Sequence, residues 1–369
     1  MGDEGTLRGV YIAPVNPASF PGVAAKVEAQ SEVLSQMGKC DVVFLGTHNT
    51  LPLKIARRLP FFSDGINWDT VNVESCDWIY LRRPQFISKG MRRFLTRAKK
   101  DNPNLKVVLE LPTYPYDAEY GGLANQLVLA RDRHHRKRLA CLVDRVAVLT
   151  DDDSVFGLPA IGVTNGIDLS SQTPREPSRG DELNIVVVAV FSPSHGVDRL
   201  IKGISEYYSQ GGDRAIRLHL IGDSPFVAKL KQEVARRGLE DRVVFYGQQE
   251  SPFIDAVYDR CTLAVAPLGI HRIGLSSSAP LKSREYLAKG IPFIYSGEID
   301  VLVKHSADFC LQLPAEDEPV DIESVIEFHD HIYDKEDERV LIGRIRAFAE
   351  RYVSMDKAME PVMEYLISC

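Results

Sequence analysis

No run of about 18 apolar residues occurs in the chain, so it offers no segment long enough to cross a bilayer as a helix. The first thirty residues also lack the basic start and apolar core of a secretory leader. There is no Cys-x-x-Cys pair. The six cysteines stand at 40, 76, 141, 261, 310 and 369, a scatter that fits reduced, mostly buried thiols better than a disulfide frame or a zinc site. No repeat of about 20 to 50 residues is visible, which argues against a solenoid. Together these absences lead us to expect a cytoplasmic protein, at most peripheral at the inner face of the plasma membrane.

Positive charge is in deficit too. The chain carries 44 Lys+Arg against 51 Asp+Glu, a net charge of −7, which argues against a general nucleic-acid binder. The deficit is uneven, with 21 basic against 19 acidic residues in 1–170 and 23 against 32 in the rest. A local basic face in the first half can therefore still meet an anionic partner.

What is present is ordinary globular material. The 369 residues are 44% hydrophobic and 26% charged, more than one core usually covers, so two domains are expected. Short apolar runs at 8–14, 41–45, 77–81, 105–109 and 145–149 read as buried strands, with helical spacing at about 23–37 and 89–100. Residues 170–182, SSQTPREPSRGDE, hold two prolines, a glycine and no large apolar side chain, and read as a linker. Strand patterns resume at 184–190, 217–221, 243–246, 263–266 and 292–295, with helices at about 197–208, 225–237, 281–289 and 340–352. This alternation predicts two Rossmann-like, doubly wound α/β domains facing across a cleft, with ligands at the carboxyl ends of the strands.

The segment 276–297, SSSAPLKSREYLAKGIPFIYSG, is the most informative. Pro280 suits a helix start and Gly290 a helix stop. Lys282 and Glu285, spaced i, i+3, share a face near the positive end of that helix beside serine hydroxyls, among them Ser278. Such a place can hold a phosphate and sugar hydroxyls. On spacing alone, an ion pair on a solvated helix explains the same two residues.

The string Leu281-Lys-x-x-Glu-Tyr-Leu-Ala-x-Gly-x-Pro292 resembles the donor site of nucleotide-sugar-dependent glycosyltransferases of the GT-B fold, family 4, of the bacterial polysaccharide-assembly type. Other pieces fall in the same order: Asn165-Gly-Ile-Asp168, His195-Gly-Val-Asp-Arg-Leu-Ile201, Leu220-Ile-Gly-Asp223, Val243-Val-Phe-Tyr-Gly247 and 258–267. The resemblance implies an acceptor-side domain over 1–170, a nucleotide-sugar domain over 183–354, and a last helix, about 355–369, packed back on the first. It implies transfer of a sugar from a nucleoside diphosphate to a glycan or lipid-linked acceptor hydroxyl, with retention, no cofactor and no required divalent metal. A UDP-sugar is the first expectation and a GDP-sugar the alternative.

By the same resemblance Glu285 accepts the ribose hydroxyls, and Gly222 and Gly247 admit the nucleotide to the backbone. Gly22 resembles the glycine of the loop beneath the donor phosphates. Two departures stand out: Ser277 occupies a place where many members carry a glutamate, and His195 stands at a lysine's place with no arginine matching the other phosphate ligand. Lys282 is the first phosphate ligand expected, with His195 second.

A second segment, 109–119, holds Glu110, Tyr114, Asp117 and Glu119, a composition suited to hydroxyl recognition and sugar stacking, or equally to a rigid proline-punctuated loop. It resembles a signature of the polysaccharide-assembly members. Glu110 is then the catalytic candidate, as a base or as an electrostatic partner of the developing cation, and Tyr114, Asp117 and Glu119 are acceptor-side candidates. Residues 82–106 contain nine cations against Asp101 alone, and 131–138, RDRHHRKR, adds a second cluster. Met91, Phe94, Leu95 and Ala98 give this stretch a core-facing stripe, and the cationic side suits anionic lipid headgroups. Asp151–Asp153 follows a strand and reads as a solvated turn, not a metal site. A catalytically silent partner subunit and a nucleotide-sugar epimerase or hydrolase are the rival readings.

Overall fold

The short apolar runs become strands covered on both faces, as parallel sheets require. The computed structural model describes residues 6–46, 64–117 and 123–368. Two compact units result: Met1–Thr164 with Met355–Cys369, and Asn165–Ser354.

In the first unit the order is β1 (Leu7–Ala13), α1 (Pro21–Leu34), β2 (Gly38–Phe44), β3 (Trp78–Arg82), α2 (Lys89–Asp101), β4 (Lys106–Leu111), α3 (Leu123–Arg136), β5 (Arg145–Val148), β6 (Ser154–Val155) and β7 (Leu158–Gly162). The sheet runs β2-β1-β3-β4-β5-β7-β6, parallel except for the β6–β7 hairpin. Helix α2 starts at Ser88, whose hydroxyl accepts the Met91 amide at 3.0 Å, and buries Met91, Phe94, Leu95 and Ala98 as its spacing predicts.

In the second unit the order is β8 (Leu183–Val188), α4 (Val197–Ser209), β9 (Ile216–Ile221), α5 (Val227–Arg236), β10 (Val243–Gly247), α6 (Ser251–Tyr258), β11 (Leu263–Val265), β12 (Ser277–Ser278), α7 (Leu281–Lys289), β13 (Phe293–Ser296), β14 (Glu298–Ile299), α8 (Asp300–Lys304), β15 (Cys310–Leu313), α9 (Ile322–Lys335) and α10 (Glu338–Tyr352). Its main sheet runs β10-β9-β8-β11-β13-β15, wholly parallel, with β12 and β14 as a separate pair. This is the doubly wound 3-2-1-4-5-6 order, whose direction reverses between β8 and β11. Helix α11 (Met355–Ile367) closes the chain and packs Met355, Met359, Val362 and Leu366 against Tyr11, Val27, Leu34 and Trp78 of the first unit.

The stretch 170–182 is not a free linker. The Arg175 side chain is fully buried, donating to Glu338 Oε1 at 2.8 Å and to the Tyr333 hydroxyl at 2.7 Å. Glu338 also accepts the amides of Ser178 and Arg179, each at 3.0 Å. A polar composition therefore hides a segment stitched to α9 and α10, and the unit boundary falls earlier, at Thr164 and Asn165. The acidic segment 316–338 supplies the cap of α9 through Asp321 and of α10 through Asp337.

Candidate functional site

The reversal between β8 and β11 directs attention to the loops leaving the carboxyl ends of the second unit's strands. Helix α7 begins there at Pro280 and stops at Gly290, which has φ 74. Tyr286, Leu287 and Ala288 face inward, so Lys282 and Glu285 lie on the outer side, 35% and 20% exposed. They meet: Lys282 Nζ donates to Glu285 Oε2 at 2.5 Å, while the Tyr258 hydroxyl donates to Oε1 at 2.7 Å. The i, i+3 spacing thus gives the ion pair that it predicts.

The loop before α7 is fixed from outside the helix. Asn165 Nδ2 donates to the Ala279 carbonyl at 2.7 Å, and Arg284, fully buried, donates to the Asn165 carbonyl at 3.2 Å and pairs with Asp300. Ser277 and Ser278 form β12, in register with Glu298 and Ile299 of β14. Ser277 and Glu298 are exposed, whereas Ile299 is buried.

His195 ends a short turn (Pro193–His195) after β8. The Ser192 amide donates to His195 Nδ1 at 3.2 Å. An amide can only donate, so Nδ1 accepts and the ring proton rests on Nε2. Burial holds the imidazole below its usual pKa, which keeps this neutral tautomer at physiological pH. The turn is tied to the loop after β11 by Leu268 N to His195 O and Gly269 N to Ser194 O, both 3.1 Å, and by Arg272 Nη1 to Pro193 O at 2.9 Å. Gly196 has φ 64, and a Cβ there would stand 2.7 Å from Leu268, so only glycine lets the two loops approach.

Gly222 is demanded by the fold: φ is 125, and a Cβ would meet the Ala189 carbonyl at 1.9 Å. Gly247 has φ 69 and open space beside it. After Gly247 an open crevice is lined by Gln248, Gln249, Glu250, Pro252 and Phe253, with Phe253 edge-on to Tyr246 at 5.3 Å. Sequence reading missed Tyr258, because its contact with Glu285 joins side chains from separate elements, and missed the crevice, because no motif marks 248–253.

In the first unit Gly22 lies in the first turn of α1, exposed, with nothing near its would-be Cβ. Glu110 sits inside a charged network. It is 3% exposed and accepts from Arg82 Nη1 at 2.7 Å and the Tyr11 hydroxyl at 3.0 Å, with Lys26 Nζ at 3.6 Å. Burial alone would raise its pKa, but Arg82 and Lys26 outweigh burial and bring it below the ordinary carboxylate value. With Arg82 and Lys26 beside it the carboxylate stays ionised and is a weak proton acceptor. Tyr114 packs on Phe156 with ring centres 5.8 Å apart, and Asp117 is clasped by Arg133 at 2.8 Å and Arg136 at 2.7 Å. Glu119 lies outside the described residues.

Much of the basic stretch has local partners: Arg82 with Glu110, Arg97 with Asp69 and Lys99 with Asp144, each at 2.7 Å. Lys106 donates to the Tyr365 and Leu366 carbonyls at the end of α11. Lys89, Arg93 and Lys100 remain exposed on the outer side of α2. Asp151–Asp153 is exposed, and among the described residues no three His, Cys, Asp or Glu side chains gather as a metal site. Among those residues, no helix is long and apolar enough to cross a membrane.

Residues 170–304 match the family model described as Glycosyl transferases group 1. No curated protein matches the chain. Among solved structures, a sucrose-phosphate synthase from Thermosynechococcus elongatus superposes with TM-score 0.65 at 15% identity, over 97% of this chain and 99% of that one. A lipopolysaccharide outer core galactosyltransferase gives 0.58 at 14% identity, over 97% and 100%. Anabaena HepE, solved with UDP, gives 0.60 at 14% identity, over 98% and 100%. These likenesses show the fold, that of the GT-B glycosyltransferases with two Rossmann-like units.

Proposed function

We propose that the protein is a glycosyltransferase that moves a sugar from a nucleoside diphosphate to a hydroxyl of a glycan or lipid-linked acceptor, with retention at the anomeric carbon. The observation that carries this reading is the pairing of Lys282 and Glu285 in the first turns of α7, inside the segment that matches the group 1 family. A cation and a carboxylate side by side suit the two chemistries of a nucleotide sugar. Lys282, the α7 amides and the Nε2–H of neutral His195 would take the departing diphosphate, and Glu285 the ribose hydroxyls. The exposed ring of Phe253 and the amides of Gln248 and Gln249 would meet the base. A uridine nucleotide is the first choice, since HepE was solved with UDP. No residue set for a divalent metal is invoked, and the diphosphate charge is assigned to Lys282 and backbone donors.

Family 4 membership and a place in cell-surface polysaccharide assembly belong to this reading, as does contact of Lys89, Arg93 and Lys100 with anionic lipid. A second reading, a silent partner subunit, is favoured by one departure from the family resemblance: Ser277 stands where many members carry a glutamate. A thermal-shift panel against UDP, GDP, ADP, CMP and their sugar conjugates, with and without magnesium, separates the two. A selective, metal-independent rise with one diphosphate supports a transferase, and product analysis without acceptor then distinguishes it from an epimerase or hydrolase. Absence of any shift overturns it.

A further inference from the structure

We propose that Tyr258 is a positioning residue for nucleotide recognition, its hydroxyl holding the Glu285 carboxylate in place to accept the two ribose hydroxyls of the donor. The inference rests on the reading of the α7 site above and adds to it a residue from a different helix.

Lys282 and Glu285 hold each other in the structure, yet the proposed function asks them to hold different parts of one ligand. Lys282 sits on a flexible stem and is 35% exposed, so a diphosphate can draw its ammonium away. Glu285 then depends on whatever else fixes it. Tyr258 is that partner: it is fully buried at the end of α6, and its hydroxyl donates to Oε1 at 2.7 Å.

The phenol has little freedom to follow another partner. Its ring stands edge-on to Tyr286 with centres 6.1 Å apart, and Tyr286 is itself anchored by donating to the Val265 carbonyl at 3.2 Å. Lys289 Nζ lies 6.0 Å from the centre of the Tyr258 ring and is held by Asp255 at 2.7 Å. Burial, with Glu285 beside it, raises the phenol well above its ordinary pKa, so it remains a donor at physiological pH. A carboxylate offers about four lone-pair sites; Tyr258 takes one, and Oε2 is freed as Lys282 leaves. Two hydroxyl hydrogens can then be accepted by a group whose rotamer is already fixed, and a neutral donor leaves the negative charge uncancelled.

The test is calorimetric titration of wild type, Tyr258→Phe, Glu285→Ala and the double variant with UDP and GDP, and with the 2′-deoxy form of whichever binds wild type. Tyr258→Phe should weaken the ribonucleotide about five- to tenfold and the deoxynucleotide far less, so discrimination between them shrinks. Added to Glu285→Ala it should cost nothing further, because it acts through that carboxylate. An unligated melting midpoint close to wild type shows that binding, and not folding, has changed. The inference is overturned if Tyr258→Phe binds as wild type does, or if its penalty persists in full without Glu285. Failure of wild type to bind either diphosphate overturns the reading of the α7 site itself.

Discussion

Arg82 Nη1 lies 2.7 Å from Glu110 Oε2, deep in the first unit where β3 and β4 end. The two are register partners across adjacent parallel strands, and Gln30 and Lys26 of α1 close over the same carboxylate. Removing the charge takes this counter-ion from the buried Arg82 and weakens the hold on Lys26. Glu110→Gln should therefore destabilise the protein by roughly 3–5 kcal/mol, measured by urea unfolding. Because Glu110 has a depressed folded pKa, its contribution is fully present above the unfolded value of about 4.3 and is lost as pH falls through the folded value. The gap between wild type and variant should narrow in acid, and a gap independent of pH would show that charge is not what holds the network.

At the α7 site the larger expected effects are on ligand. Lys282 is 35% exposed, so Lys282→Ala should cost no more than about 1 kcal/mol of folding stability, whereas Glu285→Ala also takes the acceptor from the buried Tyr258 hydroxyl and should cost about 1–3 kcal/mol. Lys282→Ala and Glu285→Ala should each lower transfer at least about tenfold, since charge-assisted contacts to the ligand are lost. Equal activity in wild type and either variant removes that residue from the site.

Arg175 provides a third test, aimed at the polar stretch before β8. Its side chain is fully buried against Glu338 and Tyr333. Arg175→Ala should destabilise the second unit by roughly 3–5 kcal/mol, as the loss of one partner from a buried pair does. Proteolysis should then cut within 170–182 in the variant and spare it in wild type. Equal cleavage of both would mean that the segment behaves as the open linker its composition suggests.

That stretch shows where sequence reading stops. The alternation of buried strands and helices was legible because each element carries its own periodicity, as Met91, Phe94, Leu95 and Ala98 do on α2. The Lys282–Glu285 pair was legible because helical spacing brings i and i+3 together. What sequence could not show were contacts made by topology: Tyr258 reaches Glu285 across 27 residues, Asn165 reaches Ala279 across 114, and Arg175 reaches Glu338 across 163. The network around Glu110 was illegible for the same reason, since its charged partners lie on α1 and β3.

His195 gives the last prediction, and it turns on a protonation state. With the Ser192 amide on Nδ1 and burial holding its pKa down, the ring is a neutral donor through Nε2 and not a cation. His195→Ala should weaken binding of UDP, the first-choice diphosphate, about ten- to a hundredfold, the worth of one hydrogen bond to a charged acceptor. The pH dependence identifies the mechanism. UDP itself takes up a proton near pH 6, so its affinity drifts with pH in any variant. The ratio of wild-type to His195→Ala affinity cancels that drift, and calorimetry from pH 8 down through the ordinary imidazole value near about 6.5 should find it constant. An imidazolium ligand would instead make the ratio climb steeply as pH falls through that value, because only the protonated ring would attract the diphosphate by charge. A climbing ratio would therefore sink the neutral-donor assignment while leaving the place of His195 in the site intact.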